Sequence, residues 1–194
     1  MKTEGTGVNI EKKHFEEIYG DPSDYFGGDP SKIAESACEE YIALVERLKS
    51  KGATLSSAES FTGGLIGKLV TDVSGSSAVF NGGVIAYINE IKEGLLGVKP
   101  ETIEKYTEVS FFAAAEMAEG ARRVFKSDIA VATTGFAGPT GGNENDPVGT
   151  VYVAVATSDK VTVFRIVYAG QLLVRDTVRT CSALFAAREI TKAL

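Results

Sequence analysis

The chain has 194 residues, a formal net charge of −6 at pH 7 and a sequence pI near 5.0. This acidity argues against general binding to nucleic acids or anionic membranes, because those partners are themselves negatively charged. No apolar run approaches the ~20 residues that a membrane-spanning helix needs, and the N-terminus lacks the apolar core of a signal peptide. The length predicts one domain with a substantial core, together with a short appendage.

Cysteine and histidine usage limits the chemistry further. The only two cysteines, Cys38 and Cys181, each fall within a helical pattern, which favours reduced core residues in a cytoplasmic protein. The only histidine, His14, lies far along the chain from the glycine-rich segments, so a Ser-His-Asp triad is disfavoured. Neither cysteine has a near partner, which argues against a zinc site, and we expect no metal and no cofactor.

Residues 1–30 are predicted to form an extension ahead of a single domain over residues 31–194. The extension mixes glycines and prolines with charges, and its apolar positions favour a short amphipathic helix lined by Ile10, Phe15, Ile18 and Tyr19. Asp29-Pro30-Ser31 predicts a helix start, and apolar spacings of three and four then continue to Gly52.

The stretch from Thr54 to Leu69 has the pattern of a strand, a tight turn and the start of a helix. Thr62 is placed to cap that helix, and the pair Gly63 and Gly64 lets another group approach the backbone closely. Free backbone N–H groups at a helix start favour oxyanions, so Ser60 at this point suits a nucleophile. On the local pattern alone, a structural polar residue at the strand end is an equally good interpretation of Ser60.

Strands and helices alternate through the rest of the chain. Strands are predicted over 78–87 and 128–133, helices to about 106 and over 111–124, a hairpin over 148–157 and 161–168, and a last helix over 171–194. This order predicts an α/β fold, a three-layer α/β/α sandwich with a mixed, mostly parallel sheet. Because ligands usually lie beyond the carboxyl ends of parallel strands, we expect the Ser60 loop, the 87–92 segment and the 135–142 loop to converge on one edge.

Lys92 is the candidate base for Ser60. It lies at a predicted helix start after a strand, where burial or a helix N-terminus can depress its pKa from ~10.4 towards neutrality. Tyr87, shortly before it, suits a proton relay or an orienting partner. The structural alternatives stay open at this point: a solvated surface lysine and a strand-end aromatic residue.

The glycine-rich 135–142 loop matches neither the Gly-x-Gly-x-x-Gly pattern nor a P-loop. Its backbone N–H groups can bind an anion, although a purely structural turn is nearly as good an interpretation. Glu144 and Asp146, which follow it, are predicted to form a solvated rim.

Several spaced motifs make the chain resemble the CinA C-terminal-domain family. The matching segments are Ala58-Glu59-Ser60-x-Thr62-Gly63-Gly64, Asp72-Val73-x-Gly75-Ser76-Ser77, Gly82-Gly83-Val84-x-Ala86-Tyr87-x-Asn89-Glu90-x-Lys92, Thr134-Gly135-x-Ala137-Gly138-Pro139-x-Gly141-Gly142 and Pro147-Val148-Gly149-Thr150-Val151. The resemblance extends over roughly residues 33–194 and implies a stand-alone version of that domain.

The resemblance implies an amidohydrolase that converts nicotinamide mononucleotide into nicotinic acid mononucleotide and ammonia, in pyridine-nucleotide salvage. It implies Ser60 as the nucleophile, Lys92 as the base and Tyr87 as its partner, on a three-layer α/β/α fold. The implied oxyanion donors are the amides of Thr62, Gly63 and Gly64. The implied substrate-binding positions are Glu59, Asn89, Thr134, Gly135, Gly138, Gly141 and Gly142.

Two departures from the family pattern bear on the substrate. Phe61 stands where family members usually have Cys, and Leu172 stands where relatives carry the arginine of a Gly-Asp/Asn-Arg motif. If that arginine holds the phosphate, Arg175 or Arg179 is the available substitute, and we expect at least one to point into the pocket. The alternative is a solvated helix face on which Asp176 and Arg179 form a weak pair.

A rival function is a nucleotide-binding or interaction module of the same fold that is catalytically weak or inactive. The intact Ser60, Tyr87 and Lys92 favour the enzyme, whereas Phe61 and Leu172 favour the module. We expect a small-molecule nucleotide ligand, no nucleic-acid or membrane partner, and a homo-oligomer, with a dimer favoured.

Overall fold

The computed structural model describes residues 13–18 and 32–194, and this part of the chain forms six strands and six α-helices. The strands are β1 (Lys13–Ile18), β2 (Leu55–Glu59), β3 (Phe80–Ile85), β4 (Ile129–Gly135), β5 (Thr150–Ala156) and β6 (Val161–Val167). The helices are α1 (Ile33–Lys51), α2 (Leu65–Thr71), α3 (Asn89–Gly94), α4 (Pro100–Tyr106), α5 (Phe111–Phe125) and α6 (Arg175–Ala193). Single 3₁₀ turns lie at Ser76–Ala78 and Gly170–Leu172.

The strands form one sheet in the order β1-β6-β5-β4-β2-β3. β2 pairs in parallel with both β3 and β4, whereas β5 runs antiparallel to its neighbours β4 and β6. Since β1 is parallel to β6, every strand except β5 points the same way. The predicted mixed, mostly parallel sheet is confirmed.

Helices cover both faces of this sheet. Val131 and Val153 belong to the core shared with α1, α2 and α6, whereas Ala132 and Ala154 belong to the core shared with α5. The small side chains on the second face let the alanine-rich α5 lie close to the sheet, in the dense packing typical of protein interiors. The predicted three-layer α/β/α architecture is confirmed.

The N-terminal segment differs from its prediction. Residues 13–18 form the edge strand β1, paired from Lys13 with Val161 to Ile18 with Ile166, and not part of an amphipathic helix. A sheet edge offers a row of main-chain donors and acceptors, which outweighs a weak helical pattern in a short segment. Ile10 and Tyr19 lie outside the described residues.

The first helix is predicted well, except at its cysteine. α1 ends at Gly52, whose left-handed φ of 63° closes the helix as expected. Cys38 is exposed, so its prediction as a core residue is wrong, because the buried stripe of α1 passes through Ala37 and Tyr41 beside it. Cys181 is buried on α6, and both thiols are free.

Two features are absent from the described residues. None of the helices there combines the length and the apolar character that crossing a bilayer requires. The same residues contain no group of three or more His, Cys, Asp or Glu side chains arranged to hold a metal ion.

Candidate active site

Three loops meet at one edge of the sheet, beyond the carboxyl ends of β2, β3 and β4. At these ends Glu59 is paired with Thr133 on one side and with Ile85 on the other. The Ser60 N–H continues the ladder to the Thr133 carbonyl at 2.9 Å, and the Ala86 N–H donates to the Glu59 carbonyl at 2.8 Å. The structure therefore brings the Ser60 turn, the 87–92 segment and the glycine-rich loop to the same edge.

Ser60 opens the tight turn between β2 and α2, where it is 9% exposed. The Gly63 N–H donates to the Ser60 carbonyl at 3.1 Å, which closes the turn. Gly63 and Gly64 have φ values of 63° and 96°, and a Cβ at Gly64 would lie 3.1 Å from Ile85 Cδ1. Glycine is needed here because residues with a side chain rarely adopt such angles.

The N-terminus of α2 is filled by the carboxylate of Glu59, which is only 2% exposed. The N–H groups of Gly64 and Ile66 each donate to Glu59 Oε2 at 3.0 Å, and the Gly67 N–H donates to Oε1 at 2.8 Å. A carboxylate suits this position because it satisfies orphan donors and faces the positive end of the helix dipole. Two predictions are thereby corrected: the Gly64 amide is not free to bind an oxyanion, and Glu59 faces the helix and not a substrate.

Thr62 does not cap α2, contrary to its prediction. Gly64 occupies the N-cap position, and the Thr62 hydroxyl hydrogen-bonds the Thr133 hydroxyl at 2.7 Å. The Thr62 carbonyl accepts two hydrogen bonds from Arg179, from Nε at 3.1 Å and from Nη2 at 2.6 Å. Arg179 therefore fastens α6 to the turn that carries Ser60.

Lys92 is buried, with 1% of its surface exposed, so the alternative of a solvated surface lysine is wrong. Its Nζ donates to the Tyr87 carbonyl at 3.4 Å, a long hydrogen bond for an ammonium group. Burial lowers the pKa of Lys92, and the negative charges of Glu108 and Glu90 oppose that shift. His14, on β1, is separated from β2 by three strands, which leaves Lys92 as the candidate base.

Tyr87 lies at the mouth of this edge and is 60% exposed. Its hydroxyl accepts a hydrogen bond from Arg175 Nη2 at 3.4 Å, and Arg175 Nη1 donates to the Gly138 carbonyl at 2.9 Å. Arg175 thus connects the 87–92 segment with the glycine-rich loop. Both arginines contact loops of the site, and the described residues include no Asp176–Arg179 ion pair.

The glycine-rich loop leaves and rejoins the sheet at this edge, because β4 and β5 are antiparallel neighbours. Its base is closed by the Phe136 N–H donating to the Thr150 carbonyl at 2.8 Å and the Gly149 N–H donating to the Phe136 carbonyl at 2.7 Å. Gly135 permits this close pairing, since a Cβ there would lie 2.7 Å from Val151 Cα.

Asp146 braces the same loop from within, and its prediction as a solvated rim residue is wrong. Its carboxylate accepts from Arg165 Nε at 3.0 Å and from the Tyr152 hydroxyl at 2.8 Å, and its side chain is 14% exposed. Burial, together with the neighbouring Asp146 charge, raises the pKa of Tyr152, so the phenol stays protonated and donates. Glu144 is exposed, as predicted.

Comparison with known proteins identifies the family of the chain. Residues 35–194 match the family model described as the CinA C-terminal domain. The chain belongs to the CinA C-terminal-domain family. The CinA-like protein of Geobacter sulfurreducens is 48% identical over 154 residues, which cover 79% of this chain and 37% of that protein. The CinA-like protein of Trichormus variabilis is 42% identical over 176 residues, covering 90% of this chain and 40% of that protein.

A solved structure extends the comparison to the fold. The crystal structure of the competence/damage inducible protein CihA from Agrobacterium tumefaciens matches with a TM-score of 0.77 at 34% identity, covering 80% of this chain and 93% of that chain. By contrast, this chain spans less than half the length of the curated relatives it matches.

The two departures of this CinA domain from its family pattern are both absorbed by the core. Phe61 is 4% exposed and Leu172 is 2% exposed, and both belong to the apolar cluster between the sheet and α6. Neither side chain is therefore available to a ligand. Arg175, three residues beyond Leu172, supplies a guanidinium at the edge instead.

The remaining candidate substrate-binding residues differ in how exposed they are. The Thr134 hydroxyl is buried and donates to the Glu108 carbonyl at 2.7 Å, so its prediction as a substrate-binding residue is corrected to a structural role. Asn89 is half-buried at the first residue of α3. Gly138, Gly141 and Gly142 all have positive φ, at 82°, 99° and 81°, as the tight course of the loop requires.

Glu108 is a residue that sequence reasoning missed. It is half-buried between α4 and α5, and its charge acts on Lys92 from a different element. The local pattern carried no indication of this, because Glu108 precedes Val109-Ser110 as an ordinary polar residue before a helix. Its partner Lys92 is 16 positions away, and only the fold brings the two charges together.

Proposed function

We propose that this CinA domain hydrolyses the carboxamide of nicotinamide mononucleotide to give nicotinic acid mononucleotide and ammonia. The observation that carries the proposal is the burial of Lys92 at the sheet edge where Ser60 begins its turn. Burial disfavours the charged ammonium, so this amine can act as the base that a serine nucleophile needs. The family assignment supports an amidohydrolase reaction at these motifs.

The reaction proceeds in two halves. Neutral Lys92 accepts the hydroxyl proton as Ser60 Oγ attacks the carboxamide carbon and forms a tetrahedral oxyanion. Lys92 then gives the proton to the amide nitrogen, the C–N bond breaks, ammonia leaves and Ser60 carries an ester. Water then attacks that ester while Lys92 takes a proton from the water. The bond to Ser60 Oγ breaks, Lys92 returns the proton to Oγ, and the carboxylic acid is released.

The candidate oxyanion donors are the backbone N–H groups of the turn that have no acceptor already. The Gly63 N–H is used by the Ser60 carbonyl and the Gly64 N–H by Glu59. Within the described residues no acceptor is found for the amides of Phe61 and Thr62. These two N–H groups, next to the nucleophile, are the proposed oxyanion hole, and such donors contribute most when they are preorganised.

The phosphate is assigned to Arg175. Its guanidinium is exposed between Tyr87 and the Gly138 carbonyl, at the outer end of the site. An acidic chain must supply local positive charge to hold a phosphate, and a guanidinium meets it with two parallel donors. Arg179 is a weaker candidate because the Thr62 carbonyl already occupies two of its donors.

Ammonia release from a panel of pyridine compounds tests the proposal. The panel contains nicotinamide mononucleotide, nicotinamide riboside, the dinucleotide NAD and free nicotinamide, with the Ser60→Ala protein as the blank. We expect the mononucleotide to have the highest kcat/KM. Absence of ammonia from every compound at high enzyme concentration would reject the amidase.

One observation favours the rival function, a binding module without turnover. Lys92 Nζ donates to the Tyr87 carbonyl, and no hydrogen bond joins it to Ser60 among the described residues. A module of this kind would bind the mononucleotide at equilibrium, measurable by calorimetry, and release no ammonia. An amidase would bind and turn over, so the two measurements separate the functions.

A further inference from the structure

Glu108 lies in the connection between α4 and α5, whose backbone is fixed by several side-chain hydrogen bonds. Thr107, just before it, has φ 68° and ψ 169°, a region that residues with a side chain rarely enter. The Thr107 hydroxyl donates to the Val109 carbonyl at 3.1 Å and accepts from the Val109 N–H at 3.3 Å. The Ser110 hydroxyl donates to the Thr107 carbonyl at 3.0 Å while it caps α5. The short connection is therefore held rigidly on both sides of Glu108.

A second anchor brings Glu108 to the candidate active site. Its carbonyl accepts the Thr134 hydroxyl at 2.7 Å, and the neighbouring Thr133 carbonyl accepts the Ser60 N–H at 2.9 Å. Glu108 and Ser60 are thus bound to adjacent residues of β4, Glu108 to Thr134 and Ser60 to Thr133. Glu108 is half-buried, its negative charge acts on Lys92, and it forms no ion pair with any described residue.

The negative charge of Glu108 works against the proposed role of Lys92 as a base. The carboxylates that act on Lys92 are Glu108, from the α4–α5 connection, and Glu90 on α3, while Arg175 reaches the Tyr87 hydroxyl at the mouth. Glu116 on α5 is already engaged by the Lys99 N–H and the Thr102 hydroxyl. A negative charge facing Lys92 favours the ammonium form, which cannot accept a proton. A carboxylate kept there needs a role that offsets this effect.

The substrate of the proposed function supplies such a role. Nicotinamide attached to a sugar through its ring nitrogen is a pyridinium, so the ring that carries the carboxamide has a positive charge. We propose that Glu108 recognises this charged ring and makes the site selective for N-substituted pyridinium carboxamides over neutral aromatic amides. The inference rests on the proposed function. When the ring is bound, its positive charge counteracts the Glu108 carboxylate, and Lys92 is more readily neutral in the complex than in the free protein.

A matched pair of ligands isolates the ring charge. Oxidised and reduced nicotinamide mononucleotide share the carboxamide, the ribose and the phosphate, but only the oxidised ring is charged. Their Kd values are measured by calorimetry on the full chain carrying Ser60→Ala, so turnover does not interfere. Adding Glu108→Gln should raise the Kd of the oxidised form about tenfold and change that of the reduced form by less than about twofold. Glu108→Asp, which keeps the charge, should restore most of the preference.

Glu90→Gln is the control, because Glu90 also acts on Lys92 but is exposed. It should leave the oxidised-to-reduced preference unchanged. If Glu108→Gln weakens both ligands equally, or neither, the inference is overturned. The Kd values are measured without turnover, so the two proposals can fail separately. If the Ser60→Ala protein binds with this preference but the active chain releases no ammonia, the proposed function is rejected and the inference stands.

The pH profile gives a second readout that a merely structural residue would not move. In the active chain, removing the Glu108 charge lowers the pKa of Lys92, so the rising limb of kcat/KM should shift to lower pH. A limb that stays in place would contradict the effect of the Glu108 charge on the base and overturn the inference.

Discussion

The two halves of the candidate site are built to different degrees of rigidity. The turn that carries Ser60 is fixed by the Glu59 carboxylate on three helix amides and by two hydrogen bonds from Arg179. The half that carries Lys92 and Tyr87 has two side-chain hydrogen bonds of 3.4 Å, and Tyr87 is 60% exposed. The turn proposed to carry the nucleophile and the oxyanion donors is thus held by more and shorter hydrogen bonds than the segment proposed to carry the base.

This difference is consistent with how the two halves would act in catalysis. Oxyanion donors stabilise a transition state best when they need no reorganisation. A base can tighten its hydrogen bond only in the complex, and a long contact in a ligand-free site does not exclude it. Substitutions in the two halves should therefore have different consequences.

The largest effect is expected at the nucleophile. Ser60→Ala should reduce ammonia release by about 10³-fold or more, since no covalent intermediate can form. The melting temperature should stay close to that of the wild type, because the turn is held by other groups. Ser77→Ala, at an exposed serine, is the matched control and should keep full activity. Full activity in the Ser60 variant would remove serine from the mechanism.

The next effect concerns the base. Lys92→Arg should lose about 10²- to 10⁴-fold in kcat, because arginine stays protonated and cannot accept the proton. In the wild type, activity should rise with pH as Lys92 loses its proton and level off above its pKa, which burial has lowered.

Lys92→Met separates chemistry from packing, since it keeps an unbranched side chain in the buried position. This variant should fold and stay inactive at every pH. An arginine variant that works at the wild-type rate would take the role of base away from Lys92.

A smaller effect is expected where the rigid half meets α2. Glu59→Gln replaces one acceptor oxygen by an NH₂ group that faces backbone N–H donors, and it removes the charge at the helix N-terminus. The free energy of unfolding should fall by about 2 kcal/mol, with a loss in kcat as the turn relaxes. Denaturant unfolding measures the first, with exposed Glu104→Gln as a control expected within about 0.5 kcal/mol of wild type. An unchanged midpoint for Glu59→Gln would show that the cap is dispensable.

The smallest effect distinguishes two arginines one helical turn apart. Arg175→Ala should raise KM for the mononucleotide about tenfold and leave KM for the riboside nearly unchanged, because only the first has a phosphate. Arg179→Ala should lower kcat for both substrates alike, since it loosens the Thr62 carbonyl. Each variant is the other's control. If neither changes KM for the mononucleotide, the phosphate is held elsewhere or the substrate lacks one.

The sequence predicted the features that depend on local pattern and on strand order. The bounds of α4 and α5, the closure of α1 at Gly52 and the meeting of the loops at one edge all follow from periodicity, glycine positions and βα connectivity. The expectation that Arg175 or Arg179 reaches the site came from the position of the missing family arginine and from their spacing on one helix, and both contact loops there.

The failures share a different cause. Glu59 capping α2, Asp146 buried against Arg165, and the action of the Glu108 charge on Lys92 all depend on groups that the fold brings together from elsewhere in the chain. A carboxylate is polar in any pattern, so sequence alone classes it as solvated or as ligand-binding. Only the tertiary arrangement tells whether backbone amides or a guanidinium compensates its charge, or whether it stays without an ion pair.

The single antiparallel strand has a practical consequence. Because β5 reverses direction, the glycine-rich loop starts and ends on adjacent strands, and its base is closed by the Phe136–Thr150 and Gly149–Phe136 hydrogen bonds. The connection over residues 137–148 therefore leaves and re-enters the sheet on neighbouring strands, and neither Ser60 nor Lys92 lies on it. Replacing it with the corresponding segment of a relative, while Asp146 and its β6 partner Arg165 are kept, would test what this loop contributes to ligand specificity.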